Sequence, residues 1–154
     1  MTYVLNLSHV SLRRGDTQIL SDVSWSTRPR QHWVIVGPNG AGKTTLARVV
    51  SGRVSPDAGE VSVSDTDLAN ADPAEVATRI GLASAAVAAK IVPTQSVLDT
   101  VRSAAWGLCV AHDEEYEEVD DQRASTLMEI FGVAHLAQRE FSTLSEGEAQ
   151  RVLL

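Results

Sequence analysis

One short segment limits what this chain can fold into more than any other: residues 37–44 fit the pattern G-x-x-x-x-G-K-[ST] at every position. The segment directly follows residues 33–36, a continuous apolar run that predicts a strand buried on both faces. It leads into residues 44–51, where the apolar positions have helical spacing and Gly52 is the predicted stop. A strand, a glycine-rich loop and a helix in this order predict an α/β fold built around a phosphate-binding loop.

The residue types of this loop suit a triphosphate. Its glycines allow a nest of inward-pointing backbone N–H groups, and the following helix adds the positive end of its dipole. Lys43 is predicted to place its charge on the β- and γ-phosphates and to stabilise charge in the transition state, and the Thr44 hydroxyl is predicted to ligate Mg²⁺. The predicted nucleotide-binding residues of the loop are Gly37, Pro38, Asn39, Gly40, Ala41, Gly42, Lys43, Thr44 and Thr45.

A guanine-specific GTPase carries such a loop too, but it also needs an Asn-Lys-x-Asp type of element that reads the base. The only other lysine, Lys90, is followed by Ile91, Val92 and Pro93, which supply no such aspartate. The sequence therefore disfavours a GTPase.

The composition limits which partners and which cellular compartment fit this chain. The 154 residues are 44% hydrophobic and 21% charged, which is enough apolar material for one globular domain. The net charge of −7 disfavours a nucleic-acid partner. The single Cys109 fits a reducing compartment, residues 1–6 lack the features of a signal peptide, and the run at residues 80–92 is too short to span a bilayer. These features predict a cytoplasmic protein.

The rest of the chain predicts strands first and helices later. Strands are predicted at residues 3–12, 23–26, 60–63 and 80–83, with a polar turn at 14–17. Helices are predicted from Asp72-Pro73, at 96–106, at about 114–131 and from Ser145. The acidic run at 113–121 favours a solvated helix N-terminus, with a metal site or a surface for a basic partner as the alternatives.

A second motif lies at residues 144–148, with Ser145 as a good N-cap and Glu146 and Glu148 in the first helical turn. Gly147 would let a phosphate approach the backbone closely, although an ordinary capped helix shares these features. Together with the loop, this segment resembles the L-S-G-G-Q signature of ABC-type ATPases, with glutamates in place of one glycine and of the glutamine.

The resemblance implies a fold and a domain plan. The fold is an α/β P-loop NTPase of the ABC type, with an N-terminal antiparallel β subdomain, a helical insert and an incomplete central sheet. One nucleotide-binding domain would cover residues 1–154, with the P-loop core and β subdomain at about 1–92 and the helical subdomain at about 93–154. In this family the acids that hold Mg²⁺, the catalytic glutamate and the switch histidine follow the signature, so the resemblance also implies a chain truncated just after it.

The resemblance also implies ATP and Mg²⁺ as ligands and ATP hydrolysis that drives a transmembrane permease, which would place the protein at the inner face of the membrane. Two such domains would meet head to tail, so that the signature acts on the partner's nucleotide; its residues are Leu144, Ser145, Glu146, Gly147 and Glu148. Ser145 and Gly147 would contact the γ-phosphate bound at the partner's Lys43. The alternatives are a soluble ABC-type ATPase of translation or DNA repair, or a non-catalytic nucleotide-binding remnant.

Two positions depart from the family pattern. Arg14 stands where the family usually stacks an aromatic residue on adenine, and its guanidinium is predicted to contact the base. Ala85 stands where the family has the glutamine that binds Mg²⁺ and the attacking water, and Gln95 is too far along the chain to replace it. Residues 108–114 have some features of the acid-bearing strand, but the start of an acidic helix is the favoured interpretation.

Overall fold

The computed structural model describes residues 3–111 and 116–154, and the chain divides into two compact units, Met1–Val76 and Ala77–Leu154. Each unit contains an apolar core of its own. The domain limits inferred from the sequence stay a prediction.

An antiparallel sheet forms most of the first unit. Its strands are β1 (Leu5–Arg14), β2 (Thr17–Thr27), β3 (Ala58–Val63) and β4 (Thr66–Asp67), in the order β2-β1-β3-β4. Leu7 lies opposite Trp25 on β2 and opposite Val61 on β3. The strand predicted here is confirmed, and its buried side chains are Leu7, Val10 and Leu12; a register shift between Leu7 and Val10 breaks the two-residue alternation.

The helix after the glycine-rich loop, α1 (Lys43–Val50), packs on this sheet through Val49, which is 1% exposed. It is followed by Gly52, which has φ 69° and is the predicted stop. The buried core of the unit consists of Leu7, Val10, Leu12, Leu20, Val49 and Val61. The sheet and helix thus hold the base of the loop between them.

The strand predicted at residues 33–36 is wrong. This segment forms no strand in the described structure, and the side chains of Val34 and Val36 are 84% and 88% exposed. Trp33 contacts Trp25 edge-on, with ring centroids 5.6 Å apart. A central strand needs a hydrogen-bonded neighbour along each edge, and all four described strands pair with one another in the antiparallel sheet.

The second unit is helical. Its helices are α2 (Pro73–Arg79), which begins in the first unit, α3 (Ala85–Ala88), α4 (Val97–Ala104), α5 (Glu118–Ile130) and α6 (Glu146–Val152). Two 3₁₀ turns lie at Ala134–Leu136 and Phe141–Thr143. The core contains Ile91, Val97, Met128, Val133, Leu136, Phe141 and Val152. The helices predicted from the capping residues at positions 72, 96 and 145 are confirmed.

The strand predicted at residues 80–83 is wrong, and the prediction for the acidic run falls partly on residues that the structure does not describe. Residues 80–83 form no strand in the described structure; they lead to Ser84, whose Oγ accepts a hydrogen bond from the Val87 N–H and caps α3. The acidic run begins at positions 113–115, which lie outside the described residues, as do positions 112–114 of the possible acid-bearing strand. Its described part does begin a helix, because Glu117 and Asp120 form a capping box at the start of α5.

Within the described residues, no helix is long and apolar enough to cross a membrane.

Candidate functional site

The glycine-rich loop is fixed at its end by close contact with the sheet. Gly40 and Gly42 both have φ 84°, a left-handed conformation that favours glycine. Gly42 is the N-cap of α1, and a Cβ added there would lie 2.9 Å from the carbonyl oxygen of Ile19 on β2. Any side chain at this position would therefore push the loop away from the strand that supports it.

The ammonium of Lys43 lies over the loop. Its Nζ donates hydrogen bonds to the carbonyl oxygens of Gly37 and Pro38, each at 2.7 Å. Hydrogen bonds that involve a charged group contribute about 1.5–3 kcal/mol each to stability. The positive charge is thus held beside the loop rather than extended into solvent.

The N-terminus of α1 has a positive local field. The first turn contains no acidic residue, and Gly42 supplies no side-chain cap to the helix N–H groups. The first N–H groups of a helix need partners from outside the helix, and its dipole attracts negative charge. In a chain with a net charge of −7, this end of α1 is a local exception that suits a phosphate.

Thr44 is exposed in the first turn of α1, and Thr45 beside it is half-buried. Among the described residues, no group of three or more His, Cys, Asp or Glu side chains could hold a metal ion. The Thr44 hydroxyl is an oxygen donor of the kind that Mg²⁺ takes together with phosphate oxygens and water, and its role as a ligand stays a prediction.

The second motif lies at the start of α6. Ser145 is the N-cap, and its N–H and its hydroxyl both donate to Oε2 of Glu148, each at 2.7 Å. In return, the Glu148 N–H donates to Ser145 Oγ at 3.3 Å, which completes a capping box. Leu144 packs against the core of the second unit, Glu146 and Gly147 are exposed, and a Cβ at Gly147 would meet no atom within 4 Å. The backbone at Gly147 is therefore open to an approaching group.

A family model described as ABC transporter matches residues 20–154. The chain belongs to the ABC transporter family. The match includes both the loop and the second motif, so the resemblance that these two segments predicted is confirmed.

Curated relatives are ATP-binding proteins of the same family. The uncharacterized ABC transporter ATP-binding protein YlmA of Bacillus subtilis is 34% identical over 152 residues, which are 98% of this chain and 57% of YlmA. The hemin import ATP-binding protein HmuV of Thermobifida fusca is 37% identical over 153 residues, which are 99% of this chain and 52% of HmuV. The chain therefore spans a little over half the length of these relatives.

Solved structures show the same fold. A nucleotide-free ATP-binding cassette from an ABC transporter has a TM-score of 0.76 and 24% identity, over 98% of this chain and 64% of the cassette. A dimeric cassette bound to ADP and Pi has a TM-score of 0.78 and 21% identity, over 97% of this chain and 66% of that one. The predicted fold class, an α/β P-loop NTPase of the ABC type, is confirmed.

Arg14, which stands at the usual aromatic position of the ABC family, ends β1 and lies opposite Thr17 across the turn. The neighbouring Arg13 is engaged locally, since its Nη2 donates to the carbonyl oxygen of Asp16 at 3.2 Å. In the described part of the chain, no hydrogen bond or ion pair joins the Arg14 guanidinium to another residue or to the loop. Its contact with a base stays a prediction.

Ala85 and Gln95, the two positions compared with the glutamine of the ABC family, lie in different surroundings. Ala85 is the first residue of α3, exposed and without a polar side chain. Gln95 is only 9% exposed; its Oε1 accepts from the Ala111 N–H at 2.8 Å, and its Nε2 donates to Thr100 Oγ1 at 3.0 Å. Gln95 is therefore committed to the interior of the second unit and is not available to hold a water molecule.

Arg139, which no sequence pattern predicted, lies beside the signature. Its Nη1 is 3.6 Å from Glu148 Oε1, its Nε donates to Thr143 Oγ1 at 3.3 Å, and its Nη2 donates to the Thr143 carbonyl. The hydrogen bonds from Ser145 hold the pKa of Glu148 below its ordinary value, and the nearby charges of Arg139 and Arg151 add to this effect. No motif in the sequence marks Arg139, because its role depends on a contact that folding creates.

Proposed function

We propose that the protein carrying this chain binds MgATP at residues 37–45 and hydrolyses it to drive a transmembrane permease. The observation that carries the proposal is the position of Lys43, whose ammonium lies over a glycine-rich loop that opens onto a helix without an acidic first turn. The family supports the same conclusion, because both relatives described above are named ATP-binding proteins.

The chemistry would be an in-line attack of water on the γ-phosphate. Lys43 would bind the β- and γ-phosphate oxygens and stabilise the charge that develops on them. Thr44 would hold Mg²⁺, which neutralises phosphate charge when it is bound. The Lys43 ammonium would leave the carbonyls of Gly37 and Pro38 in part, so the phosphate contacts replace bonds that already exist.

Two copies would act together. The signature would contact the nucleotide of the partner subunit, with Ser145 and Gly147 next to the γ-phosphate held at the partner's Lys43. The open backbone at Gly147 supports this arrangement. The assembly would lie on the cytoplasmic side of a membrane, held there by its permease.

Phosphate release by the intact protein, assembled with its membrane partner, tests the proposed activity. Lys43→Ala should reduce the rate to background, because the transition state loses its mobile positive charge. Lys90→Ala is the matched control: it removes the only other lysine of the chain, which is exposed in the second unit, and it should keep the parent rate. A Lys43→Ala variant as active as Lys90→Ala would contradict the proposal.

A further inference from the structure

Glu148 already bonds to Ser145, one of the two residues that the signature is proposed to offer to a nucleotide. One carboxylate oxygen, Oε2, accepts both the N–H and the hydroxyl hydrogen of Ser145. A hydroxyl has a single hydrogen to donate, so Ser145 can give it either to Glu148 or to a phosphate oxygen. The carboxylate thus accepts the same hydrogen bond from Ser145 that an arriving phosphate would accept.

The charge on this carboxylate is stabilised by its surroundings. The Ser145 bonds lower the pKa of Glu148, and Arg139 and Arg151 act in the same direction, so the side chain is ionised at neutral pH. Arg139 is itself held in place by Thr143, two residues before the cap. The side chains of Arg139 and Glu148 are 43% and 22% exposed. Both charges therefore lie near the protein surface, where they can act on an approaching phosphate.

We propose that Glu148 competes with the partner's nucleotide for Ser145, and that Arg139 tunes this competition by balancing the Glu148 charge, so that the pair sets how tightly two copies associate around ATP. This inference rests on the proposed function. Glu148 and Arg139 are positioning residues in this account, since they act through Ser145 and not on the reacting atoms.

The competition has two parts that act in the same direction. A triphosphate that reaches Ser145 must displace one hydrogen bond to Glu148, and it must approach a negative carboxylate. Like charges brought together at an interface oppose association. Without its positive neighbour at Arg139, the carboxylate would repel the phosphate more strongly.

The variant Glu148→Gln removes the negative charge of the side chain but keeps its ability to cap the helix. An amide oxygen can still accept the Ser145 N–H, because the capping box forms with Gln as well as Glu. Association is measured by sedimentation of the intact protein with saturating Mg²⁺ and a non-hydrolysable ATP analogue. Glu148→Gln should tighten the dimer by about 3- to 10-fold, since it removes the competing charge.

Glu146→Gln is the matched control. It changes the net charge by the same amount in the same helical turn, but Glu146 has no hydrogen bond to Ser145 in the described structure. It should shift association much less than Glu148→Gln. An equal effect of the two variants, or no tightening by Glu148→Gln, would overturn the inference.

Arg139 gives a second and independent test. Arg139→Gln should weaken association about 2- to 5-fold when Glu148 is present and clearly less in the Glu148→Gln background, because only the direct attraction of the guanidinium for phosphate is then lost. Arg139→Lys should recover part of the loss. Equal weakening in both backgrounds would show a purely structural role and would overturn the proposal for Arg139.

Nucleotide binding to single copies, measured alongside, keeps this inference distinct from the proposed function. If the parent and Glu148→Gln bind the analogue in a Lys43-dependent way but neither associates, the inference fails and the nucleotide site stands. If Lys43-dependent binding is lacking as well, the proposed function fails with it.

Discussion

At the scale of single residues, Lys43 has to exchange carbonyl oxygens for phosphate oxygens when a triphosphate binds. Two carbonyl oxygens at 2.7 Å already hold its ammonium, so the lysine is ordered before a ligand arrives. Ordering a free lysine side chain costs up to about 2 kcal/mol of rotamer entropy. Part of this cost has been met in the folded protein, but the two carbonyl hydrogen bonds are given up as the ammonium turns to the phosphates, so the gain from order is offset.

The carboxylate of Glu148 makes a pH-dependent contribution to stability. Its pKa is lowered in the folded state by hydrogen bonds from Ser145, so the ionised form favours folding above its ordinary pKa of 4.5. This contribution is lost as the pH falls through the lower, folded-state pKa. We therefore expect the difference in Tm between the parent and Glu148→Gln to shrink as the pH falls from 6 toward and below about 4. Thermal unfolding across this range checks it, and a constant difference would contradict it.

The glycines of the loop allow a comparison between backbone strain and direct contact. Gly40 and Gly42 share φ 84°, but a Cβ at Gly40 meets no atom within 4 Å, whereas one at Gly42 would lie 2.9 Å from the Ile19 carbonyl oxygen. Gly40→Ala should cost about 1–2 kcal/mol through the left-handed conformation alone. Gly42→Ala should cost more. Denaturant unfolding of both variants measures the difference, and equal free energies of unfolding would contradict the close contact between the loop and β2.

At the scale of elements, the sequence predicts what short-range interactions determine. The cap at Ser145 and the stop at Gly52 were predictable, because a side chain and a nearby backbone group specify them. The strands at residues 33–36 and 80–83 were predicted wrongly, because a strand also depends on partners far away in the chain. Arg139 was not predicted for another reason: it lies in a loop, and its contact with Glu148 of α6 depends on how the intervening 3₁₀ turn folds.

Gln95 ties several elements of the second unit together. Its side chain bonds to Thr100 on α4 and to the Ala111 backbone, and its carbonyl oxygen accepts from the Phe141 N–H at 2.9 Å. Gln95→Ala leaves a backbone N–H and a buried hydroxyl without this partner and should lower the free energy of unfolding by about 1–3 kcal/mol.

An exposed glutamine supplies the control for this prediction. Gln138 has no side-chain hydrogen bond in the described part of the chain, so Gln138→Ala should change stability by less than about 0.5 kcal/mol. Denaturant unfolding of both variants, followed by circular dichroism, provides the comparison. A similar loss in the two proteins would show that Gln95 does not stabilise the unit.

At the scale of the whole molecule, residues 33–36 give the chain of residues 1–154 a surface that favours self-association. Val34 and Val36 are 84% and 88% exposed in a continuous apolar segment, and exposed contiguous apolar surface favours association with another chain. The double variant Val34→Ser with Val36→Ser should therefore scatter less light than the parent at equal concentration. Val119→Ser, at an apolar position of α5 that is 63% exposed, is the control and should scatter as the parent does.

Binding of MgATP to residues 37–45 through Lys43 can be measured by equilibrium titration of residues 1–154 with fluorescent MgATP. Loss of one charge-assisted contact should weaken the affinity of Lys43→Ala by about 10- to 150-fold, which corresponds to about 1.5–3 kcal/mol. Lys90→Ala should bind as the parent does. Equal affinities of the parent and Lys43→Ala would contradict the account, because the nucleotide would then be bound somewhere other than the loop over which Lys43 lies.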